Sequence, residues 1–473
     1  MKRSVILALP LLISACAVGP DYAPPSPPPP AALQLQEAVN NPLVTQGDPA
    51  GHWWRLFDDA VLDRLVEKAL VHNSDVRIAA ANLQQARALL SEAGAARLPT
   101  SDASARATES RSSAYSSSSG TNVRTDYYSV GFDASYEVDL FGRVHRSVEA
   151  ARGDVGAAAA GLDAAQVSVA AETARTYAVA CGFAAQAKTA RQTVELQQKT
   201  LDLTQRMFAG GRGTRRDVDQ ASVLVEQARA QIATFEAERR AAIYALAVLT
   251  GDPPAMADRQ AAACDTPPSV EQTIPVGDGQ ALLARRPDVR QAERQLAADT
   301  ARIGVATAAL YPSINLLGSV ALGAPDVGKL GTSDSLSWSA GPLISFNFPF
   351  NGAARAKVRQ SKAVAAGSLA AFDKAVLTAL GETEQALARL AGAMDREAAL
   401  GRALSASNSA ASISERRFQN GADSFLQLLD AQRSRATARS ALAEAQTARA
   451  QAQVSLFKAL GGGWEDAPQP EGT

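Results

Sequence analysis

A chain whose second half repeats its first can only build a structure made of two like halves, and this chain repeats itself in register. Asp75-Val76-Arg77 recurs as Asp288-Val289-Arg290 and Pro99 as Pro312, an offset of 213, with ten identities among the 25 positions from Asp75 to Pro99. Beyond that block the offset becomes 210. It relates Gly142 to Gly352, Glu172-Thr173 to Glu382-Thr383, Phe208 to Phe418, Gly211 to Gly421, Leu246 to Leu456 and Gly251 to Gly461. Whatever supersecondary unit the repeat encodes is therefore built twice per chain. The three-residue change falls between Pro99 and Gly142, where a Ser-rich stretch can absorb a difference in loop length.

Within each repeat, period-two segments predict strands. Tyr128, Val130, Phe132, Ala134, Tyr136, Val138 and Leu140 alternate with Ser129, Gly131, Asp133, Ser135, Glu137 and Asp139, giving one apolar and one polar face. The duplicate runs from Leu336 to Phe350, with Trp338, Ile344, Phe346 and Phe348 on its apolar side. A third strand is predicted at Ser313 to Leu322, and a weaker fourth near Ser101 to Arg111 rests mainly on the repeat. The connecting loops, Ser116 to Thr125 and Pro325 to Asp334, are polar.

Long helical stretches follow each strand pair. Residues Arg143 to Ala209 contain no proline, and the copy runs from Ala353 to Asn420; each spans about 100 Å at 1.5 Å per residue. The chain turns at Gly210-Gly211-Arg212-Gly213 and again at Asn420-Gly421-Ala422-Asp423, then returns. Val218, Ala221, Val225, Ala228, Ile232 and Phe235 step by three and four, with a break at Arg239, which predicts antiparallel helices paired as in a left-handed coiled coil. The helix before the strands and the returning helix together match the long one in length, which suggests equal columns, four per chain. Short helices are predicted from Asp58 to about Val71 and from a cap at Asn73-Ser74-Asp75 to Leu98.

The N-terminus reads as a secretion signal: Lys2-Arg3, an apolar stretch from Val5 to Ile13, then Ile13-Ser14-Ala15-Cys16. Small residues before a cysteine resemble a bacterial lipobox, in which cleavage precedes Cys16 and its thiol carries lipid. Residues 17 to about 50, with Pro27-Pro28-Pro29-Pro30, predict an extended tether. Loss of Lys2 and Arg3 leaves 45 basic against 48 acidic residues, so no basic field for nucleic acid is present. No later run of about 18 apolar residues stands out, so strands rather than helices are expected to do any membrane crossing. Cys181 and Cys264 remain; they form either a disulfide or two separate buried thiols.

Four strands cannot close within one chain, because the smallest natural membrane barrel has eight and an open edge in lipid leaves backbone groups unpaired. Two copies give eight strands and three give twelve, the latter wide enough for a central passage lined by the polar face with Asp133, Glu137 and Asp139. Alternation alone also fits a soluble sandwich.

A set of ordered motifs resembles the TolC-like outer membrane factors, and among them the NodT-type efflux lipoproteins. The motifs are the lipobox with Val18-Gly19-Pro20-Asp21-Tyr22, Trp53-Trp54-Arg55-Leu56-Phe57, Glu137-Val138-Asp139-Leu140-Phe141-Gly142, Arg286-Pro287-Asp288-Val289-Arg290, Leu429-Asp430-Ala431-Gln432-Arg433 and Ala459-Leu460-Gly461-Gly462-Gly463-Trp464. The resemblance implies a mainly α fold with a transmembrane β part: a homotrimer whose twelve-stranded β-barrel continues as a twelve-helix periplasmic α-barrel. It implies an outer membrane, lipid-anchored exit duct extending into the periplasm of a Gram-negative bacterium, fed by an inner membrane RND transporter through a periplasmic adaptor. A type I protein secretion channel shares that fold, and a periplasmic coiled-coil scaffold without a pore is the reading from a different class. The expected organisation is a signal peptide (1–15), a lipidated tether (16–50), a first repeat (51–251), an equatorial connection (252–279), a second repeat (280–463) and a tail (464–473).

By the same resemblance, Leu426 and Asp430 occupy positions that form an apolar and an acidic ring at the periplasmic constriction. Arg433 is placed to hold the closed state by charge-assisted hydrogen bonds. Gln427 stands where some relatives carry a second aspartate, so a doubled acidic ring is not expected. The turns, with Gly211, Gly213 and Thr214 in the first and Gly421, Asp423 and Ser424 in the second, are expected to meet the adaptor. His52, His72 and His145 have no metal-ligand spacing and no nucleophile signature accompanies them, so neither cofactor nor catalysis is expected.

Overall fold

The computed structural model describes residues 17–26, 28–29, 33–39, 44–45, 47, 51–115, 121–346, 348 and 352–464. The expected signal peptide, Cys16, residues 116–120 of the first polar loop and the tail beyond Trp464 lie outside the described residues. In chain order the principal elements are α1 (Ala60–His72), α2 (Ser74–Ala95), β1 (Thr100–Ser112), β2 (Val123–Val138), α3 (Arg143–Ala209) and α4 (Arg215–Leu249). The second half gives α5 (Gly279–Arg285), α6 (Pro287–Ala308), β3 (Ser313–Ala324), β4 (Leu336–Ser345), α7 (Ala353–Gln419) and α8 (Phe425–Leu460). Both long helices have 67 residues. The same order of elements thus occurs twice.

The chain divides into two compact units, one made of the residues up to Pro25 with Gln84–Ala158 and Ala292–Phe372, the other of Ser26–Leu83, Ala159–Gln291 and Asp373 onwards. The first contains a four-stranded antiparallel sheet in the order β1-β2-β3-β4. Its register sorts side chains by face, since neighbours along a strand point to opposite sides. Ala103, Phe132, Val320 and Trp338 form one cross-strand row; Asp102, Asp133, Ser319 and Ser339 form the next. The apolar row is exposed in the single chain, Val320 by 50% and Trp338 by 74%. Among the described residues the outer edges of β1 and β4 have no strand beside them.

Strand β2 begins at Val123, five residues before the expected Tyr128, because pairing of Val123 to Tyr127 with Thr108 to Ser112 needs backbone groups but no alternation. Strand β4 stops at Ser345, and the rings of Phe346 and Phe348 pack on each other beyond it with centroids 4.9 Å apart. Asn347, Pro349 and Phe350 of the expected strand lie outside the described residues.

The N-terminal segment is strapped onto this unit rather than standing off as a spacer. Val18 N–H donates to the Phe141 carbonyl (3.2 Å), and Arg146, nearly buried, holds the Asp21 carboxylate (2.6 Å) and that of Glu149 (2.8 Å). Gly19 crosses Gly304 so closely that a Cβ on Gly19 would stand 2.4 Å from the Gly304 Cα. Later in the tether, Leu35 is buried in the core of the second unit, and Val44–Thr45 pairs in parallel with Ile274–Pro275. Isolated apolar residues anchor this stretch, and they leave no periodic signal in the sequence.

The second unit has an aromatic core. Trp53 stacks on Phe457 with centroids 5.0 Å apart, Phe57 and Trp54 pack edge-on beside it, and Leu62, Leu65, Leu387, Leu390 and Leu456 surround them. Residues 252–279 are drawn into this core through Val270, Ile274 and Val276. Gln453 brackets Val270, accepting from its N–H (3.1 Å) and donating to its carbonyl (2.7 Å). Cys181 and Cys264 are joined by a disulfide, Cα atoms 5.1 Å apart, which ties this connection to α3. The break in the heptad at Arg239 has a cause: its guanidinium pairs with Glu236 (3.4 Å) and donates to the Ala262 carbonyl.

One expectation needs correction. Helix α7 contains an 18-residue window of mean hydropathy 1.4, long and apolar enough by composition to cross a membrane, with 17% of the window buried. Alanine raises the average without forming the Leu/Ile/Val/Phe run that marks a span by eye.

Candidate functional site

The two helix–helix turns are built alike. In the first, Gly211 takes φ 69°, its N–H donates to the Phe208 carbonyl (3.0 Å) and the Arg212 N–H to Met207 (2.8 Å). In the second, Gly421 takes φ 75°, with the matching bonds to Phe418 (3.0 Å) and Arg417 (2.8 Å). These left-handed positions satisfy the carbonyls that end α3 and α7 and are open to glycine without strain. Each returning helix then starts with a capping box, Thr214 with Asp217 on α4 and Ser424 with Gln427 on α8. Gly213 sits against the Phe208 backbone, where a Cβ would lie 3.3 Å from its nitrogen.

Asp423 turns inward. It accepts from Arg417 Nε (2.7 Å) and Ser414 Oγ (3.3 Å), leaving its side chain 12% exposed. Its carboxylate is therefore committed to closing the second turn, which the sequence reading did not foresee.

Beyond that turn, Leu426, Asp430 and Arg433 fall on one face of α8 at spacings of four and three, and all three are exposed, Leu426 by 55%. Leu428, Leu429 and Gln432 point the other way and are buried. Gln432 Nε2 donates to Thr200 Oγ1 (2.7 Å), and Phe425 packs beside the Leu201, Ala221 and Val225 cluster, so the second hairpin is fixed against the first near both turns. These locking residues were missed from the sequence, although Gln432 lies inside a quoted motif. Among the described residues no ion pair joins Asp430 and Arg433 within one chain, although exposed pairs three apart do form elsewhere, as between Glu172 and Arg175. One turn further along, Arg435 and Arg439 lie four apart, and burial together with the like charge of Arg439 pushes the Arg435 guanidinium down from its ordinary value.

The strand acids divide. Asp133 stands exposed on the polar face, directly opposite Asp102, which the sequence reading did not single out. Glu137 shares that face and receives a two-point contact from Arg143, Nε to Oε1 at 2.7 Å. Asp139 is not a strand residue. It follows the end of β2 and accepts from the Val144 (2.9 Å) and His145 (2.7 Å) N–H groups, so its carboxylate satisfies donors at the start of α3 instead of lining the sheet.

An open antiparallel sheet with one apolar face, connected to two long helical hairpins, is the fold of the TolC-like outer membrane channels. The profile of the family described as outer membrane efflux protein matches residues 65–252 and 279–462. Nodulation protein T of Rhizobium leguminosarum bv. viciae is 32% identical over 464 residues, covering 98% of this chain and 94% of its own. Outer membrane protein OprJ of Pseudomonas aeruginosa is 32% identical over 469 residues, covering 97% and 95%. Among solved structures, the outer-membrane channel OprN matches with a TM-score of 0.88 and 34% identity over 95% of this chain and 100% of that one. The open-state MtrE outer membrane channel of Neisseria gonorrhoeae matches with a TM-score of 0.81 and 30% identity over 96% and 100%. The chain belongs to the outer membrane efflux protein family, a family of channels rather than enzymes, and is an outer membrane protein that extends into the periplasm.

Proposed function

We propose that three copies of this chain assemble into the exit duct of a tripartite efflux pump, passively conducting drugs or other small molecules from an inner membrane RND transporter and its periplasmic adaptor to the exterior. The observation that carries this reading is the sheet: four strands, exposed apolar side chains on one face, acids and serines on the other, and two outer edges that have no neighbour among the described residues. Edges of this kind are tolerated in lipid only when closed, and three sheets make a twelve-stranded barrel with a polar lumen. The helical hairpins then continue as a twelve-helix tunnel. The solvent efflux pump outer membrane protein SrpC of Pseudomonas putida carries a pump role in its name and supports the partner assignment.

Lipid on Cys16 fits the strap, since Ala17 packs on Gly142 at the strand–helix junction, the level at which an acyl chain enters the bilayer. At the opposite end of the helices, Leu426 and Asp430 supply the constriction, one copy of each per chain, with Arg433 reaching a neighbouring chain rather than its own Asp430.

Planar-bilayer recording tests the gate. The Leu426→Ala/Asp430→Ala variant is expected to raise closed-state conductance several-fold; unchanged conductance removes these residues from the constriction.

A further inference from the structure

The start of α7 carries Arg355, Lys357, Arg359 and Lys362, and no acid before Asp373. All four cations are exposed, and none joins an ion pair among the described residues. At the offset of 210 the first repeat has His145, Ser147, Glu149 and Arg152 in their place. There Glu149 pairs with Arg146, and the N-terminal strap packs alongside, Ala17 against Gly142 and Asp21 on Arg146. Among the described residues, the start of α7 has neither the acid nor the strap.

Neighbouring contacts fix which way these cations point. Ser368 Oγ donates to Asp299 (2.6 Å), so one side of α7 packs on α6. Lys357, Gln360 and Val364 line a groove together with Arg143, whose guanidinium holds Glu137 of the polar face of the sheet. Lys357 therefore belongs to the polar side. Arg355, Arg359 and Lys362, spaced by four and three, form one stripe about half a turn of the helix away from Lys357, on the side of the apolar face. The exposed rings of Phe346 and Phe348 lie between the end of β4 and this stripe.

We infer that Arg355, Arg359 and Lys362 form a binding site for the phosphates of anionic phospholipids in the periplasmic leaflet of the outer membrane. This rests on the exit-duct reading above, which puts the sheet in the bilayer and the start of α7 just beneath it. A basic cluster directly beside a membrane-spanning element marks anionic-lipid binding, and here no acid interrupts it. The stripe spans only about 10 Å of helix rise, against roughly 5–8 Å for one headgroup layer and a screening length of roughly 8–10 Å. All three charges therefore lie within reach of lipid phosphates. Lipid is favoured over a protein partner because the stripe continues an apolar surface that the bilayer itself covers, and a headgroup needs no fixed geometry from exposed, unpaired side chains. The two like halves are thus seated differently, α3 by the strap and α7 by headgroups.

The test titrates dioleoylphosphatidylglycerol or dioleoylphosphatidylcholine into the full-length, lipidated protein in mild detergent and counts bound lipid by native mass measurement. The protein is expected to retain phosphatidylglycerol preferentially. Arg355→Gln/Arg359→Gln/Lys362→Gln should lower that preference about a hundredfold, roughly fivefold per cation. Arg355→Lys/Arg359→Lys should keep it, high salt should remove it, and Lys357→Gln, on the polar side, should leave it unchanged. In cells, a photoreactive residue at the exposed Ala366, one turn further along the same side, should crosslink to lipid. Equal retention of the two lipids, no loss in the triple variant, loss in the lysine variant, an equal loss on Lys357→Gln, or crosslinking from Ala366 to a protein overturns the lipid site, while conducting trimers leave the duct standing. Absence of both trimer and conductance in the unmutated protein overturns the duct and this site together.

Discussion

In the second unit the large rings of Trp53, Trp54, Phe57 and Phe457 are closed in by leucines from several elements, while in the first unit Phe132, Val320 and Trp338 stand on the sheet exposed to the surroundings. The same chain therefore finishes one apolar surface by itself and leaves the other exposed, which on the proposed duct reading lipid and further copies cover. The unit around the tryptophans is expected to respond to mutation as a soluble core does, and the sheet as a membrane surface does.

The largest effect expected is in the aromatic core. Trp54→Ala should cost about 3–5 kcal/mol and leave little folded protein, read by expression level and protease resistance. Tolerance of this change would break the comparison at its stronger side. On the sheet, position decides the result. Val320→Arg, on the apolar row, should cost about 2–4 kcal/mol and prevent outer membrane assembly, whereas Ser319→Arg, one residue away on the polar row, should assemble and alter ion selectivity. Equal outcomes at the two positions would mean the faces are misassigned.

Two smaller effects sharpen the account of the second unit. Cys264→Ser opens a cross-link between residues 83 apart and should lower stability by about 2–4 kcal/mol, measured by denaturant midpoint with and without reductant. The smallest concerns acid. The Arg64 guanidinium holds the Asp258 carboxyl down, from 3.8 to about 2. A depressed value in the folded chain means this stabilisation is complete above pH 3.8 and is lost as pH falls toward 2. Asp258→Asn should flatten that part of the acid unfolding curve.

Much of this was legible in the sequence because the signals were local or repeated. The span of α3 followed from a stretch without proline bounded by Gly142 and Gly210, and the faces of β2 and β3 followed from alternation. The docking of Leu35 and the 17–22 strap was not legible, since single contacts with distant residues leave no period. Asp139 was misread because alternation continues one residue past the last strand pair, and only the hydrogen-bond donors of Val144 and His145 reveal where the ladder ends. Asp423 has an ordinary turn composition, and nothing but geometry shows that Arg417 holds it. The spacing of Leu426, Asp430 and Arg433 was readable, but what the exposed Asp430 and Arg433 meet was not, since among the described residues no ion pair joins them within the chain.

The central claim is that the four-stranded sheet is one third of a closed wall. Native mass measurement of the protein extracted from outer membranes in mild detergent tests this most directly. The account predicts three copies per particle, dissociating on heating together with loss of conductance; a single copy that retains its β-sheet spectrum in detergent would contradict it.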